Sequence, residues 1–537
     1  MKKNSENSCN EVVAVSRIVK FSAPFAALLG GIGYAMALPP LNWSILVFVV
    51  LLPLFWSSYV FRWRWSFLCG WMWGLGWAFF SCRFLREIHP AVPWMLAPVL
   101  AVWPGVYGAV LSLLGGKIFG NKDFSTPWRL NWDPVKALLY LFSAAALFTV
   151  LEWTRCHLFV WNDFSVTLWK IPFLMQIARI TGRYGTSLVI TFLNAVIFAL
   201  FFTRKPYLSA GVLAVYPLLA ALYGVYRINS TDEFKEPVVW RCALIQGNLP
   251  QQRIADARTV IDSIETYCNL TREIPAEQAD TVIWPECAIP IALRMNHPLG
   301  GFFRYQIAAL DRQILLGSLD YTKDGGMTNS ALLINPPGGR IAGKYDKFHR
   351  VPFGEYVPFR SLLPESWIAA FDMGRDLTDG KKLEPLRVND QVSAGTAVCY
   401  EGIFSYVSAG FVRNGANVLT AVSNDVWYPE SSEPEQHLAN AVMRCVETGL
   451  PMIRCGNNGG SGVVTSRGIF TSYIGSAAER PELLREKAAG VVEVTFERHP
   501  EITPAVRFEN AIVYLLLLLL GAVCFFSGKK IKQGKAE

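Results

Sequence analysis

The sequence predicts a multi-span α-helical membrane domain carrying one α/β layered domain, and three observations predict it. Of the 537 residues, 52% are hydrophobic and only 17% are charged, against about a quarter charged in ordinary soluble proteins. The deficit is uneven: apolar stretches dominate from Phe21 to about Tyr226, whereas the segment from about Asp232 to Glu501 carries charges, turns and short β-branched runs. A final apolar run, "AIVYLLLLLLGAVCFFSG" from Ala511 to Gly528, is just long enough to cross a bilayer.

A membrane span needs about 20 mostly apolar residues. Counting gives eight candidates, at 21–38, 39–60, 66–85, 95–116, 136–155, 185–203, 207–226 and 511–528. The first follows a polar tail and is followed by further spans, so it does not read as a cleaved signal peptide. Lys and Arg in short loops set orientation. The N-terminal tail has Lys2, Lys3, Arg17 and Lys20, and alternate loops have Arg62 and Arg64, then Lys117, Lys122 and Arg129, then Arg204 and Lys205. The C-terminal tail adds Lys529, Lys530, Lys532 and Lys535. With eight spans all of these fall on the cytoplasmic side and outweigh Arg83, Arg86, Lys170 and Arg179 opposite. The expected layout is a cytoplasmic tail (1–20), a seven-helix membrane domain (21–228), a soluble domain outside the cytoplasm (229–505), then an eighth helix and cytoplasmic tail (506–537). These retention signals account for most of the net charge of +8. No basic stripe with interleaved aromatics points to a nucleic-acid partner.

The eleven cysteines show no CxxC pair and no metal-ligand spacing with His. Cys242, Cys268, Cys287, Cys399, Cys445 and Cys455 would lie on the oxidising side, where disulfides are possible, but one sequence fixes no pairing. "GGIGYAMA" near Gly30 faintly resembles a nucleotide loop; inside a membrane span it reads as close helix packing.

In the soluble segment, short apolar runs end in polar or special residues. "VVWRCALIQGN" leads to Gln246 and Asn248, "ADTVIWPEC" to Glu286, "QILLGSLD" to Ser318, "VSAGTAVCYEG" to Cys399, "ANVLTAVSNDVWY" to Asn424 and Asp425, and "PMIRCGNNG" to Asn457 and Asn458. These read as buried strands. Helix-like segments at 253–273 and 435–449 lie between several of them. Strands alternating with helices make an α/β layered domain, and polar residues at strand ends predict one site at one edge of the sheet.

Three segments there could carry chemistry. In "VIWPECAIP", Glu286 follows an apolar run and a proline; burial raises a carboxyl pKa and suits a general base, although a lone Glu there reads more readily as an exposed loop residue. "GKYDKFHRVPFGEYVP", residues 343–358, holds Lys344, Lys347 and Glu355, and taken alone could be only a polar loop. In "AVCYEGIF", Cys399 ends a strand, where a cysteine more often packs than reacts.

In company the three segments change meaning. "WPE", "YDKFHRVPFGEYVP" and "CYE", in that chain order, resemble the nitrilase superfamily. With "VPFGEYVP", the later "SNDVWY" and the multi-span first half, the whole chain resembles the apolipoprotein N-acyltransferases of Gram-negative-type envelopes. The resemblance implies a nitrilase-like αββα sandwich held in the periplasm by a multi-pass inner-membrane domain. It implies catalytic Glu286, Lys347 and Cys399, a second essential glutamate at Glu355, and supporting Tyr400, Glu401, Trp427 and Glu447. It also implies a phospholipid acyl donor, most readily phosphatidylethanolamine at sn-1, and a diacylglyceryl apolipoprotein as acceptor, with no cofactor or metal. The departures are Ala255 where the family often has Trp, Arg350 for Leu in "HLVPFGEYVP", and "EPEQH" for Gly-Pro-x-Gln-His; the first removes an aromatic contact to the acyl chain, and none touches the triad.

The chemistry then follows from residue types. Glu286 accepts the Cys399 proton and the thiolate attacks an ester carbonyl. Lys347, with the backbone N–H of Tyr400, stabilises the oxyanion. Protonated Glu286 serves the departing lysophospholipid, leaving a thioester that the acceptor amine cleaves. A membrane-tethered amidase would use the same triad with a single anchor. A transporter would place ionisable residues in its spans, where Glu152 and Arg155 are the main candidates, and would leave the triad unexplained. The stretch "RSLLPESWIAAFDMGRDL", residues 360–377, places Leu363, Trp367, Ile368 and Phe371 on one helical face, with Gly374 as a hinge. It reads either as a lid over the acyl chain or as a core face.

Overall fold

The computed structural model describes residues 2–120, 130–250, 256–292, 298–370, 376–428, 431–476 and 485–533. The chain divides into two compact units: Met1–Asn229 with Phe508–Glu537, and Ser230–Arg507.

The first unit is helical. Among the described residues, five helices are long and apolar enough to cross a membrane: Ile18–Ala37, Val92–Phe119, Pro134–Leu158, Ala178–Phe202 and Tyr207–Asn229. Shorter apolar helices cover Ser44–Val60 and Ala511–Ser527. The stretch expected as the second span is broken into a 3-10 turn, Ser44–Phe48, and a helix, Leu52–Val60, with a proline in its first turn. The expected third span is a 19-residue helix, Trp63–Ser81, whose tryptophans lower its hydropathy. Two of their indole N–H groups reach carbonyls: Trp73 donates to that of Val50 at 2.9 Å and Trp71 to that of Pro98 at 3.2 Å. The glycines of "GGIGYAMA" serve packing. A Cβ on Gly31 would lie 1.8 Å from the Trp73 carbonyl oxygen, so this helix and Trp63–Ser81 touch backbone to backbone.

Glu152 and Arg155 are both buried on the helix Pro134–Leu158. Glu152 accepts from the Phe164 N–H at 2.7 Å, and Arg155 donates to the carbonyls of Phe159 at 2.8 Å and Trp161 at 3.1 Å. The two charges thus hold the turn that follows their own helix. Buried ions survive when partnered in this way.

The second unit is built on two six-stranded sheets. The first contains β1 (Pro237–Gln246), β2 (Thr281–Ile289), β3 (Ile314–Tyr321), β4 (Met327–Asn335), β5 (Arg340–Asp346) and, returning to its edge, β12 (Ala488–Glu497), in the order β12-β1-β2-β3-β4-β5. The second contains β6 (Leu386–Arg387), β7 (Ser393–Val398), β8 (Val418–Ser423), β9 (Met452–Gly456), β10 (Gly462–Val464) and β11 (Phe470–Thr471), in the order β11-β10-β9-β8-β7-β6.

Alternate residues of the first sheet, such as Ala243, Ile245, Val282, Trp284, Ile314 and Leu316, form a core with residues of the helices Ala257–Arg272 and Pro298–Leu310. The intervening residues, such as Leu244, Ile283 and Leu315, are equally buried on the face toward the second sheet. The Cys455 thiol of β9 reaches the Ile283 carbonyl of β2 at 3.2 Å. The helices Ser405–Arg413 and Glu433–Thr448 cover the far side. The result is an αββα sandwich, the layering that the nitrilase resemblance implies. The ten cysteines from Cys69 to Cys524 are free thiols.

Candidate active site

Glu286 lies in β2, where the pairing with β3 slips between Trp284 and Ile289. Pro285 cannot donate to the ladder, and the next residue, Cys287, has φ of 46°. Such a bulge re-aims a side chain. Only a glycine fits opposite: a Cβ on Gly317 of β3 would lie 2.4 Å from the Glu286 Cα.

Lys347 directly follows β5. Its N–H donates to the Asn329 carbonyl at 2.8 Å, and its carbonyl accepts from the Gly380 N–H at 2.7 Å. Its ammonium is 1% exposed and lies 2.9 Å from Glu355 Oε1 and 3.3 Å from Glu286 Oε1. Asn329 Nδ2 donates to the same two oxygens, at 2.8 and 2.7 Å, and the other Glu355 oxygen accepts from the Val351 N–H at 2.8 Å. Burial alone would lower the Lys347 ammonium, but Glu355, Glu286 and Cys399 together hold it well above its ordinary value. Lys347 is therefore a fixed cation.

Cys399 opens the 3-10 turn Cys399–Ile403 that follows β7, with φ of 54°. A non-glycine residue in this left-handed region is strained, and such strain concentrates at functional sites. Burial, then Glu286, pushes the Cys399 thiol well up, while Lys347 works in the opposite direction. The resting sulfur is a thiol that needs a base.

Glu401 holds the turn from inside. Its carboxylate is fully buried and accepts from the Val398 N–H at 3.1 Å, the Tyr345 hydroxyl at 2.5 Å and the Phe348 N–H at 3.4 Å. Burial pushes its carboxyl up to about 8. The Tyr400 ring packs edge-on against Phe404, centroids 5.1 Å apart. Trp427 ends the turn Asp425–Trp427 and is 43% exposed. Glu447 is buried, but its carboxylate goes to Arg444 at 3.0 Å and to the Ser405 hydroxyl at 3.2 Å. Arg444 in turn donates to the Ile403 carbonyl, so Arg444 links Glu447 to the turn Cys399–Ile403.

The structure thus gathers Glu286, Lys347 and Glu355 into one hydrogen-bonded cluster that Cys399 senses electrostatically. Sequence reading missed Asn329 and Tyr345. Asn329 stands near the polar start of the apolar run "MTNSALLIN", and that was its one visible signal. Among the described residues, one group has ligand atoms close enough to hold a metal: Cys399, Asp425 and His437, within 4.8 Å of one another. Asp425 and His437 are already bonded to each other at 2.9 Å. In 360–377, only Glu365–Ala370 is helical among the described residues. Leu363 therefore precedes the helix, and Leu362 is 78% exposed. Phe371, Met373 and Gly374 of the expected lid, and Ala255, lie outside the described residues.

The sandwich and its Glu-Lys-Cys grouping define a carbon-nitrogen-hydrolase type of catalytic domain, and residues 241–483 match that family model. Residues 30–196 match the N-terminal domain of apolipoprotein N-acyltransferases. An apolipoprotein N-acyltransferase of Geobacter metallireducens is 30% identical over 464 residues, 82% of this chain and 85% of its own. Those of Allorhizobium ampelinum and Haemophilus ducreyi are 29% and 28% identical, covering 88% and 85% of this chain and 89% and 88% of theirs. The chain belongs to the apolipoprotein N-acyltransferases, and it is an acyltransferase.

Proposed function

We propose that the chain acylates the N-terminal amine of diacylglyceryl-cysteine on apolipoproteins by a ping-pong route through a Cys399 thioester. The observation that carries this reading is the Lys347 ammonium clamped between Glu286 and Glu355 beside a strained Cys399. Glu286 removes the thiol proton, and the sulfur attacks the sn-1 ester of a glycerophospholipid, phosphatidylethanolamine in the first instance. Lys347 faces the charge that develops on the carbonyl oxygen. Its position is preset by Glu355 and Asn329, so little reorganisation is needed at the moment of reaction. Glu286 returns the proton to the leaving lysophospholipid. The acceptor amine then attacks the thioester, again with Glu286 as base, and Cys399 is regenerated.

Membrane-bound substrates suit a catalytic domain on a multi-pass anchor. The distribution of Lys and Arg supports eight spans, both termini in the cytoplasm and a periplasmic catalytic domain at the bacterial inner membrane. Residues 1–20, 21–228, 229–505 and 506–537 then divide the chain into tail, seven helices, catalytic domain and final helix.

The test is mass spectrometry of the purified full chain incubated with phosphatidylethanolamine. A fatty-acyl adduct should appear on the Cys399 peptide, vanish in Cys399→Ala and persist in Cys455→Ala, since Cys455 is fully buried between the sheets. An adduct that survives Cys399→Ala rejects the assignment.

A further inference from the structure

A second polar cluster, Asp425 with His437, has its ligand atoms within 4.8 Å of the Cys399 sulfur. It is organised by the helix Glu433–Thr448. His437 Nε2 lies 3.2 Å from the Cys399 carbonyl oxygen, and Arg444 Nη1 lies 2.5 Å from the Ile403 carbonyl oxygen. These two residues are two helical turns apart, so they project from one face. One helix therefore grips both ends of the turn Cys399–Ile403.

The partners of His437 dictate its chemistry. Its side chain is 1% exposed, and Nδ1 lies 2.9 Å from Asp425 Oδ1. The other Asp425 oxygen binds Arg454, also fully buried. Burial alone would raise the Asp425 carboxyl, but His437 and Arg454 hold it below the usual range, so Asp425 is ionised and can only accept. A backbone carbonyl also can only accept. Both ring nitrogens of His437 thus face acceptors, and both bonds form only if both nitrogens carry hydrogen.

We propose that His437 is a positioning residue that, as a buried imidazolium donating to Asp425 and to the Cys399 carbonyl, holds the nucleophile's left-handed turn and favours the Cys399 thiolate. This rests on Cys399 being the nucleophile. The charged groups around the ring fit the role. Asp425 from the turn after β8 and Arg454 from β9 offset each other. Glu433, from the first turn of the same helix, lies 3.8 Å from Nδ1, and burial raises its carboxyl well above the ordinary value. A charged His437 lies within 4.8 Å of the Cys399 sulfur and works against Asp425 and Glu433, which push that thiol up.

The sequence signal was in "EPEQH", where His437 stands four residues after Glu433. It carried no meaning until the fold placed that helix under the turn.

The experiment uses the full chain in detergent and follows iodoacetamide alkylation of the Cys399 peptide by mass spectrometry across pH, together with acyl-adduct formation. His437→Gln keeps a donor and much of the volume but cannot carry charge. An opposite charge at this range shifts a thiol by about one pH unit or more, so in His437→Gln the alkylation midpoint should rise by about that much. Adduct formation should slow at least tenfold through kcat, with KM for the phospholipid little changed. His437→Asn should behave alike, and it replaces the Gln variant if that one fails to fold. An unchanged alkylation profile and adduct rate in a folded variant overturns the inference while leaving the nucleophile reading intact. Adduct formation in Cys399→Ala overturns the nucleophile reading itself.

Discussion

Lys347 and Lys344 stand three positions apart in the same stretch, and their surroundings separate their roles. Lys347 fills a closed space between Glu286, Glu355 and Asn329. A planar guanidinium is larger and cannot act as a compact point charge there. Lys347→Arg should therefore lose about a hundredfold in acyl-adduct formation, the usual cost of one oxyanion donor, with the melting temperature little changed; near-normal turnover would remove the role. Lys344 lies outside the matched motif, and on that ground sequence alone expects Lys344→Ala to be tolerated. The structure adds a stability cost to this expectation. Lys344 Nζ lies 3.0 Å from Asp320 Oδ2, and the Asp320 side chain is fully buried. Removing the lysine breaks an ion pair of a fully buried carboxylate, at a cost of roughly 3 kcal/mol. Lys344→Ala should lower the melting temperature clearly while the protein that remains folded still forms the adduct. At this scale the sequence shows residues whose spacing repeats a known pattern, such as Glu286 and Cys399. It hides those whose role depends on what lies across a sheet, such as Asn329, Asp320 and His437.

At the scale of elements, the strands legible in the sequence are the two parallel triplets, β1–β2–β3 and β7–β8–β9. Parallel strands are covered on both faces and read as continuous apolar runs. β5, β6, β10, β11 and β12 pair antiparallel nearer the edges, and β12 alternates buried and open positions. Their weaker apolar signal does not stand out from loops. In the proposed mechanism the element that matters most is the turn after β7, held by Glu401. In an unfolded chain a glutamate has a pKa of about 4.3, and burial moves this one up to about 8. Between those values the folded state binds more protons than the unfolded one, so stability falls as pH rises. The slope for one such group approaches ~1.4 kcal/mol per pH unit. The melting temperature of the detergent-solubilised chain should fall from pH 5 to pH 8, and Glu401→Gln should flatten that fall even though it removes one acceptor. An equally steep fall in the variant would show that another group carries the pH dependence.

For the whole molecule, the side on which the catalytic domain lies can be argued without fixing the total number of spans. Lys117 ends the helix Val92–Phe119, and the second unit begins after Asn229. Between them lie Pro134–Leu158, Ala178–Phe202 and Tyr207–Asn229, all long and apolar enough to cross a bilayer. An odd number of crossings puts Lys117 and the second unit on opposite sides, whatever the broken stretch at Ser44–Val60 does. Two crossings separate Lys117 from Arg204 and Lys205, so these basic positions share a side. Basic loops stay in the cytoplasm, which supports the proposed placement of the catalytic domain outside it, where the acceptor amine of an exported lipoprotein would be met. Lys117 and Glu273 are both exposed, so each can be replaced by cysteine and read separately. With a membrane-impermeant maleimide on spheroplasts and peptide-level mass spectrometry, Glu273→Cys should label at once and Lys117→Cys only after lysis. Labelling of both before lysis, or of Lys117→Cys alone, would reverse the orientation and with it the placement of the acyl transfer.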